Sequence, residues 1–215
     1  MINEHAIVHP SAKLAKGVTV GPGTIIGADV EIGEGTWVGP HVVIQGPTVI
    51  GKNNKIFQFA SVGDEPQDIT YDGEPTRLEI GDNNIIREFC MISRGTVKGG
   101  GLTRLGNHNF LMAYTHVGHD CFVGDHVIMV NYSALSGHVI VSDYVNIGAY
   151  AAVHQFCSIG AYAFIARATY VTKDVLPYVM IAGHSTSACG INTVGLRRRG
   201  FSSSAIDCLR RAYKI

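Results

Sequence analysis

Residues 18–63 read VTVGPGTIIGADVEIGEGTWVGPHVVIQGPTVIGKNNKIFQFASVG, and an aliphatic residue falls at every sixth position from Val20 to Val62. Two residues before each stands a small or β-branched one, as in Val18, Thr24, Val30, Thr36, Val42 and Thr48. Glycine follows most of the aliphatics. The register reaches back to Val8 and Leu14, resumes at Ile80, Ile86 and Ile92, and runs unbroken from Leu105 to Val171. A period of six fits neither the 3.6 of a helix face nor the 2 of a plain strand. It fits short parallel strands joined by tight turns, three strands and eighteen residues to a coil, with one aliphatic inward per strand. Each inward side chain contributes about 1.5–3 kcal/mol by burial. Glycine after it suits a corner that needs positive φ or a close backbone approach. The hexapeptide period makes the fold all-β, a parallel β-helix.

The register breaks twice. Between Val62 and Ile80 lies DEPQDITYDGEPTRLE, and between Ile92 and Leu105 seven extra residues surround Thr96-Val97-Lys98-Gly99-Gly100-Gly101. Both read as loops leaving a rigid prism, where function often resides. The coils end near Val171, Asp174–Ala182 reads as an exit segment, and Ser202 caps an amphipathic helix carrying Ile206, Leu209 and Tyr213 on one face. The chain therefore divides into a prism over 1–183 and a C-terminal segment over 184–215 that begins a helical domain.

Composition excludes several classes. The 215 residues carry a formal net charge of zero and only 16% charged side chains, without the basic surplus of a nucleic-acid binder. No apolar run is long enough to span a membrane, and MINEHAIVHPSAK lacks the pattern of a signal peptide. Five cysteines far apart, with no CxxC, read as reduced and mostly buried thiols of a cytoplasmic protein.

Chemistry concentrates in Leu111–Gln155, above all in Thr115-His116-Val117-Gly118-His119-Asp120. With eighteen residues per coil, Gly137 lies above His119 and Gln155 above Gly137. Allowing for the insertion, Arg94 lies below His119 and Ser93 below Gly118. His138 and His154 flank this column, so one wall gathers His116, His119, His138, His154 and Gln155. A histidine titrating near neutrality suits removal of a proton from a hydroxyl. A backbone N–H at Gly137 suits a developing oxyanion. Asp120 suits an orienting role for His119, against the rule that strand neighbours point to opposite faces.

VHPSA, QFASVG, GEPTR, RGTVKGGG, HVGHDC, LSGHV, AVHQF and GLRRRGFS together resemble the bacterial UDP-N-acetylglucosamine O-acyltransferases over the whole chain. The resemblance implies a left-handed prism, against the right-handed crossover rule, and a homotrimer with active sites between subunits. It implies transfer of a 3-hydroxyacyl group from acyl carrier protein to the 3-hydroxyl of the UDP-sugar, the first step of lipid A synthesis, with no cofactor and no metal. By motif, His119 corresponds to the general base, Asp120 to its supporting carboxylate and Gly137 to the oxyanion amide. His116, His138, His154 and Gln155 correspond to sugar and acyl contacts, Gln67 and Asp68 to the acyl-contacting loop, and Asn192 and Arg198 to residues near the nucleotide.

Departures accompany it. Thr70 stands where the family has lysine, Ser93 where it has histidine, and Val194 where an acid is expected. Arg167 occupies the region that limits acyl length, where long-chain members carry glycine. The family's further C-terminal helices do not follow. These changes fit a paralogue with another sugar or acyl donor, or a non-catalytic trimeric binding paralogue. A zinc hydratase and a CoA-dependent acetyltransferase share the prism. Arg197, Arg198, Arg199, Arg210, Arg211 and Lys214 form a basic patch suited to an acidic carrier. Tyr114, Met129 and Tyr132 are read as apolar surface on the histidine wall, to be covered by a neighbour.

Overall fold

A computed structural model describes residues 1–183 and 187–214. Among the described residues the strands form three sheets, and along the coils neighbours within each are three strands apart in sequence, the rule breaking only where the last two strands join one sheet. The chain thus visits each wall once per coil. The pairings along the coils are parallel and in register, for example Val117 with Ile92 on one side and Leu135 on the other. The inward residues from Val20 to Val171 are buried, while Val8 and Leu14 in the first coil are only partly covered. The second small position is inward too: Thr24, Val30, Thr36 and Val42 are fully buried. Buried hydroxyls and amides there bond between coils, as Thr36 Oγ1 does to Gly51 O and Asn54 Nδ2 to Gly81 O.

The glycines after the inward residues mostly keep negative φ and serve close approach. A Cβ at Gly33 would lie 2.6 Å from the carbonyl carbon of Gly51 one coil on. Positive φ comes two residues later, at Asp29, His41, Asn53, Phe59, Tyr114, Asp120, Tyr132, His138 and their equivalents. Their side chains stack coil on coil. Phe59, Phe89, Tyr114, Tyr132 and Tyr150 form one ladder with ring centroids 4.7–5.0 Å apart. Met129 is not part of that surface: it points inward and is fully buried, as its place in the hexapeptide register requires.

The end of the prism also departs from the sequence reading. Asp174–Ala182 is more than an exit segment, because Val179–Ala182 adds a strand beside Phe164–Ile165 and pairs antiparallel with Ser187–Ile191. Residues 184–186, at the start of the C-terminal segment, lie outside the described residues, as does 215. Two helices follow: α1 (Thr193–Arg198), capped by Asn192, and α2 (Ser203–Tyr213), capped by Ser202. α2 buries Ile206 and anchors Tyr213 by its hydroxyl, which donates to Ala188 O. No helix among the described residues is long and apolar enough to cross a membrane.

Candidate active site

His119 follows the strand His116–Val117 at a corner, and Asp120 occupies the positive-φ position, φ 60°. That backbone turn removes the alternation of a strand and brings neighbouring side chains together. His119 Nδ1 and Asp120 Oδ2 are 2.8 Å apart. The Asp120 side chain is 1% exposed and that of His119 17%. With Nδ1 engaged by the carboxylate, Nε2 faces away, into a cavity of about 270 Å³ lined by Gln67, Ser93, His116, Gly118, Ser136, Gly137 and Gln155. A Cβ on Gly137 would stand 2.7 Å from Nε2, so the Gly137 backbone passes directly beside the imidazole. Among the described residues, no acceptor takes the Gly137 N–H.

The other expected residues divide. His116 lines the cavity half-buried, and burial first, then the neighbouring His119, pushes its pKa below the ordinary value. Gln67 reaches the cavity from the first loop and donates from Nε2 to Met91 Sδ at 2.7 Å. Asp68 accepts from Thr70 N and Oγ1; those bonds, with smaller help from Lys98 and His119, lower its pKa. His138 lies behind the carboxylate, Nε2 3.7 Å from Asp120 Oδ2, edge-on to His119 and stacked on Phe156. His154 is exposed, bonded to Gln155 O and edge-on to Tyr170, and does not line the cavity. Arg167 is exposed on the outside of its coil.

Asn192 and Arg198 are not brought to this cavity. They line a separate cleft of about 560 Å³ between α1 and the sheet face of Ile128, Asn146 and Phe164, with Val194 and Arg199. Asn192 accepts from Gly195 N and donates to Tyr162 O, so its amide caps α1 and ties it to the prism.

The seven-residue insertion supplies what sequence reasoning missed. Thr96 donates from N to Asp120 Oδ1 at 2.8 Å and from Oγ1 to Oδ2 at 2.6 Å. Thr103 Oγ1 accepts the Asp120 N–H at 2.7 Å. Thr103 stands two residues before the inward Leu105, and that position alone marks it as buried. Arg94 pins the first loop, donating to Gly63 O and to the Tyr71 hydroxyl. His119, Asp120 and His138 hold ligand-type atoms within 4.8 Å of one another. Donors already occupy both carboxylate oxygens, which favours a proton-handling pair over a metal cage.

Residues 29–63 match the family described as bacterial transferase hexapeptide (six repeats), and residues 174–215 match Udp N-acetylglucosamine O-acyltransferase; Domain 2. The acyl-[acyl-carrier-protein]–UDP-N-acetylglucosamine O-acyltransferase of Stutzerimonas stutzeri is 52% identical over all of this chain and 83% of its own length. LpxA of Acinetobacter baumannii superposes with a TM-score of 0.97 at 51% identity, over 99% of this chain and 83% of that one. The UDP-N-acetylglucosamine acyltransferase of Francisella novicida does so at 0.97 and 48%, over 100% and 79%. The prism is accordingly a left-handed parallel β-helix with a short helical C-terminus. With a whole-chain likeness of this depth behind the histidine corner and its inserts, the chain belongs to the acyl-[acyl-carrier-protein]–UDP-N-acetylglucosamine O-acyltransferases.

Proposed function

We propose that the chain moves a 3-hydroxyacyl group from acyl carrier protein to the 3-hydroxyl of UDP-N-acetylglucosamine, opening lipid A biosynthesis in the cytoplasm. The observation that carries it is the His119–Asp120 pair with Nε2 beside the Gly137 backbone, both residues lining one small cavity. Asp120 holds the Nδ1 proton, which leaves the Nε2 lone pair toward substrate. The sugar hydroxyl gives its proton to Nε2 as its oxygen bonds the thioester carbonyl carbon. The carbonyl oxygen becomes an alkoxide within reach of the Gly137 N–H. Collapse breaks the C–S bond, and the leaving thiolate takes the proton back from His119. Ester, thiol and neutral histidine remain.

Gln67 and Asp68 contact the acyl donor, and His116, His138, His154 and Gln155 the sugar and chain. The cleft of Asn192 and Arg198 serves the nucleotide from a neighbouring subunit of a homotrimer. Separation of the two cavities in one chain supports a site completed between subunits. Exposed Val194 in that cleft, beside Arg198 and Arg199, favours a second reading in which the sugar nucleotide differs.

Turnover with acyl carrier proteins of graded chain length against several UDP-amino sugars tests both readings. The expected result is turnover that falls by about 10²–10⁴ in His119→Ala, without loss of folding, since a corner side chain leaves no core cavity. Retention of more than about a tenth of turnover would remove His119 as the base. Binding without turnover for every pair would instead identify a non-catalytic paralogue.

A further inference from the structure

The interruption between Ile92 and Leu105 closes over the one buried carboxylate of the site. Thr96 is 4% exposed and caps the 3-10 turn Val97–Gly99 in an extended conformation, φ −117° and ψ 156°. Its amide takes one Asp120 oxygen and its hydroxyl the other, at 2.8 and 2.6 Å. Gly99 lies against the same side chain: a Cβ there would overlap the Asp120 carboxyl carbon. From the far side Thr103 holds the Asp120 amide. Asp120 is thus fixed at both oxygens and at its own N–H, and no side chain larger than hydrogen fits over it at residue 99.

We infer that Thr96 is a positioning residue for the reaction, orienting His119 through Asp120; the inference rests on the reading of His119 as the base. Oδ2 is shared between the Thr96 hydroxyl and the His119 Nδ1–H. Both donors point at one oxygen, so the carboxylate plane, and with it the imidazole, has one arrangement. Without the hydroxyl, Oδ1 keeps the Thr96 amide, but Oδ2 keeps the imidazole it is meant to steer and, beyond hydrogen-bond length at 3.7 Å, His138 Nε2. The carboxylate then rocks about the remaining bonds, and the Nε2 lone pair loses its fixed direction. Reaction geometry is sensitive to displacements of this size. Thr96 does not line the cavity, so substrate binding has no direct stake in it. A residue that merely capped the turn would instead affect folding and leave the folded enzyme's kcat alone.

The test compares Thr96→Val and Thr96→Ser with the parent in the full chain, each with 15N-labelled histidine. In Thr96→Val, kcat falls about 10- to 100-fold, the scale of a lost buried bond to a charged group. KM stays within about twofold. The His119 Nδ1 proton resonance, assigned by its loss in His119→Ala, shifts or broadens. Thr96→Ser keeps the hydroxyl and holds kcat within about threefold of the parent. A Val variant with kcat within that same range, a Ser variant as slow as Val, or an unmoved resonance would each overturn the inference. The resonance also reports on Thr96→Ser should Thr96→Val fail to fold. It needs no turnover, so an inactive parent would sink the functional reading while the resonance still decided the clamp.

Discussion

Asp120 sits in the left-handed backbone region, which costs a non-glycine residue about 1–2 kcal/mol. The corners at Tyr114, Tyr132 and His138 carry the same cost and regain it by stacking on the coils above and below. Asp120 recovers it through hydrogen bonds, and its unusual backbone is what makes it face His119. Spacing in the sequence reveals the column of His119, Gly137 and Gln155 because the coil length is fixed. It does not reveal the Asp120 orientation, since adjacent residues alternate in any strand and only the observed φ breaks the rule. At His116 the pKa is lowered by burial and by His119. The unfolded chain therefore binds a proton near the ordinary 6.5 while the folded one resists it. Stability from this residue is present above that value and lost as pH falls below it. His116→Gln should flatten the fall in melting temperature between about pH 7 and pH 5; an unchanged slope would assign the acid loss to other groups. Arg167, exposed and two residues past inward Ile165, projects from the prism. Against a long acyl chain its permanent charge would lose hydration worth several kcal/mol, more than the roughly 0.8 kcal/mol returned per buried CH₂. Arg167→Gly should therefore lengthen the preferred chain by several carbons. An unchanged chain-length profile would place Arg167 away from the acyl path.

Among the elements, the strands and the places of the two inserts were legible, but the contacts the inserts make were not. An inward position every six residues leaves a repeating trace, and the structure buries those positions from Val20 onward. The inserts have no period, and what they do depends on contacts between residues far apart in sequence. Lys98 in the second loop donates to Thr70 Oγ1 in the first at 2.7 Å, and Thr70 in turn donates to Asp68. This exposed bridge adds to the bond from Arg94 to the Tyr71 hydroxyl in joining the two loops that frame the cavity. α1 escaped notice because it is short and holds Gly195, and Val179–Ala182 because Leu176-Pro177 reads as a break. Lys98→Met should loosen the tip of the first loop around Thr70 and Asp68 without disturbing the histidine pair, since Arg94 still holds Tyr71. Exposed bonds of this kind are worth about 1 kcal/mol or less, so KM for the acyl carrier should rise up to about fivefold with kcat nearly unchanged. A fall in kcat at constant KM would mean that Lys98 acts on the reaction itself.

At the scale of the whole molecule, a lone prism leaves a line of aromatic rings in water. Phe59, Phe89, Tyr114, Tyr132 and Tyr150 stack along one edge, each between 43% and 65% exposed. Soluble monomers rarely expose a contiguous apolar ridge of this length. Removing Met129 from the expected surface does not weaken the case, because the ladder is longer than Tyr114 and Tyr132 alone. A prism with an apolar edge and two separate cavities is suited, on the proposed function, to a closed ring in which each copy lends one cavity to its neighbour's site. Three-fold closure would cover the ladder and bring the cleft of Arg198 to the cavity of His119. Sedimentation of the purified chain should accordingly give a single species of three times the chain mass at micromolar concentration. Tyr132→Glu, which places a charge in mid-ladder, should shift that species toward monomer and lower activity in parallel. A stable monomer for the parent, or a monomeric Tyr132→Glu with full turnover, would show that each site is complete within one chain.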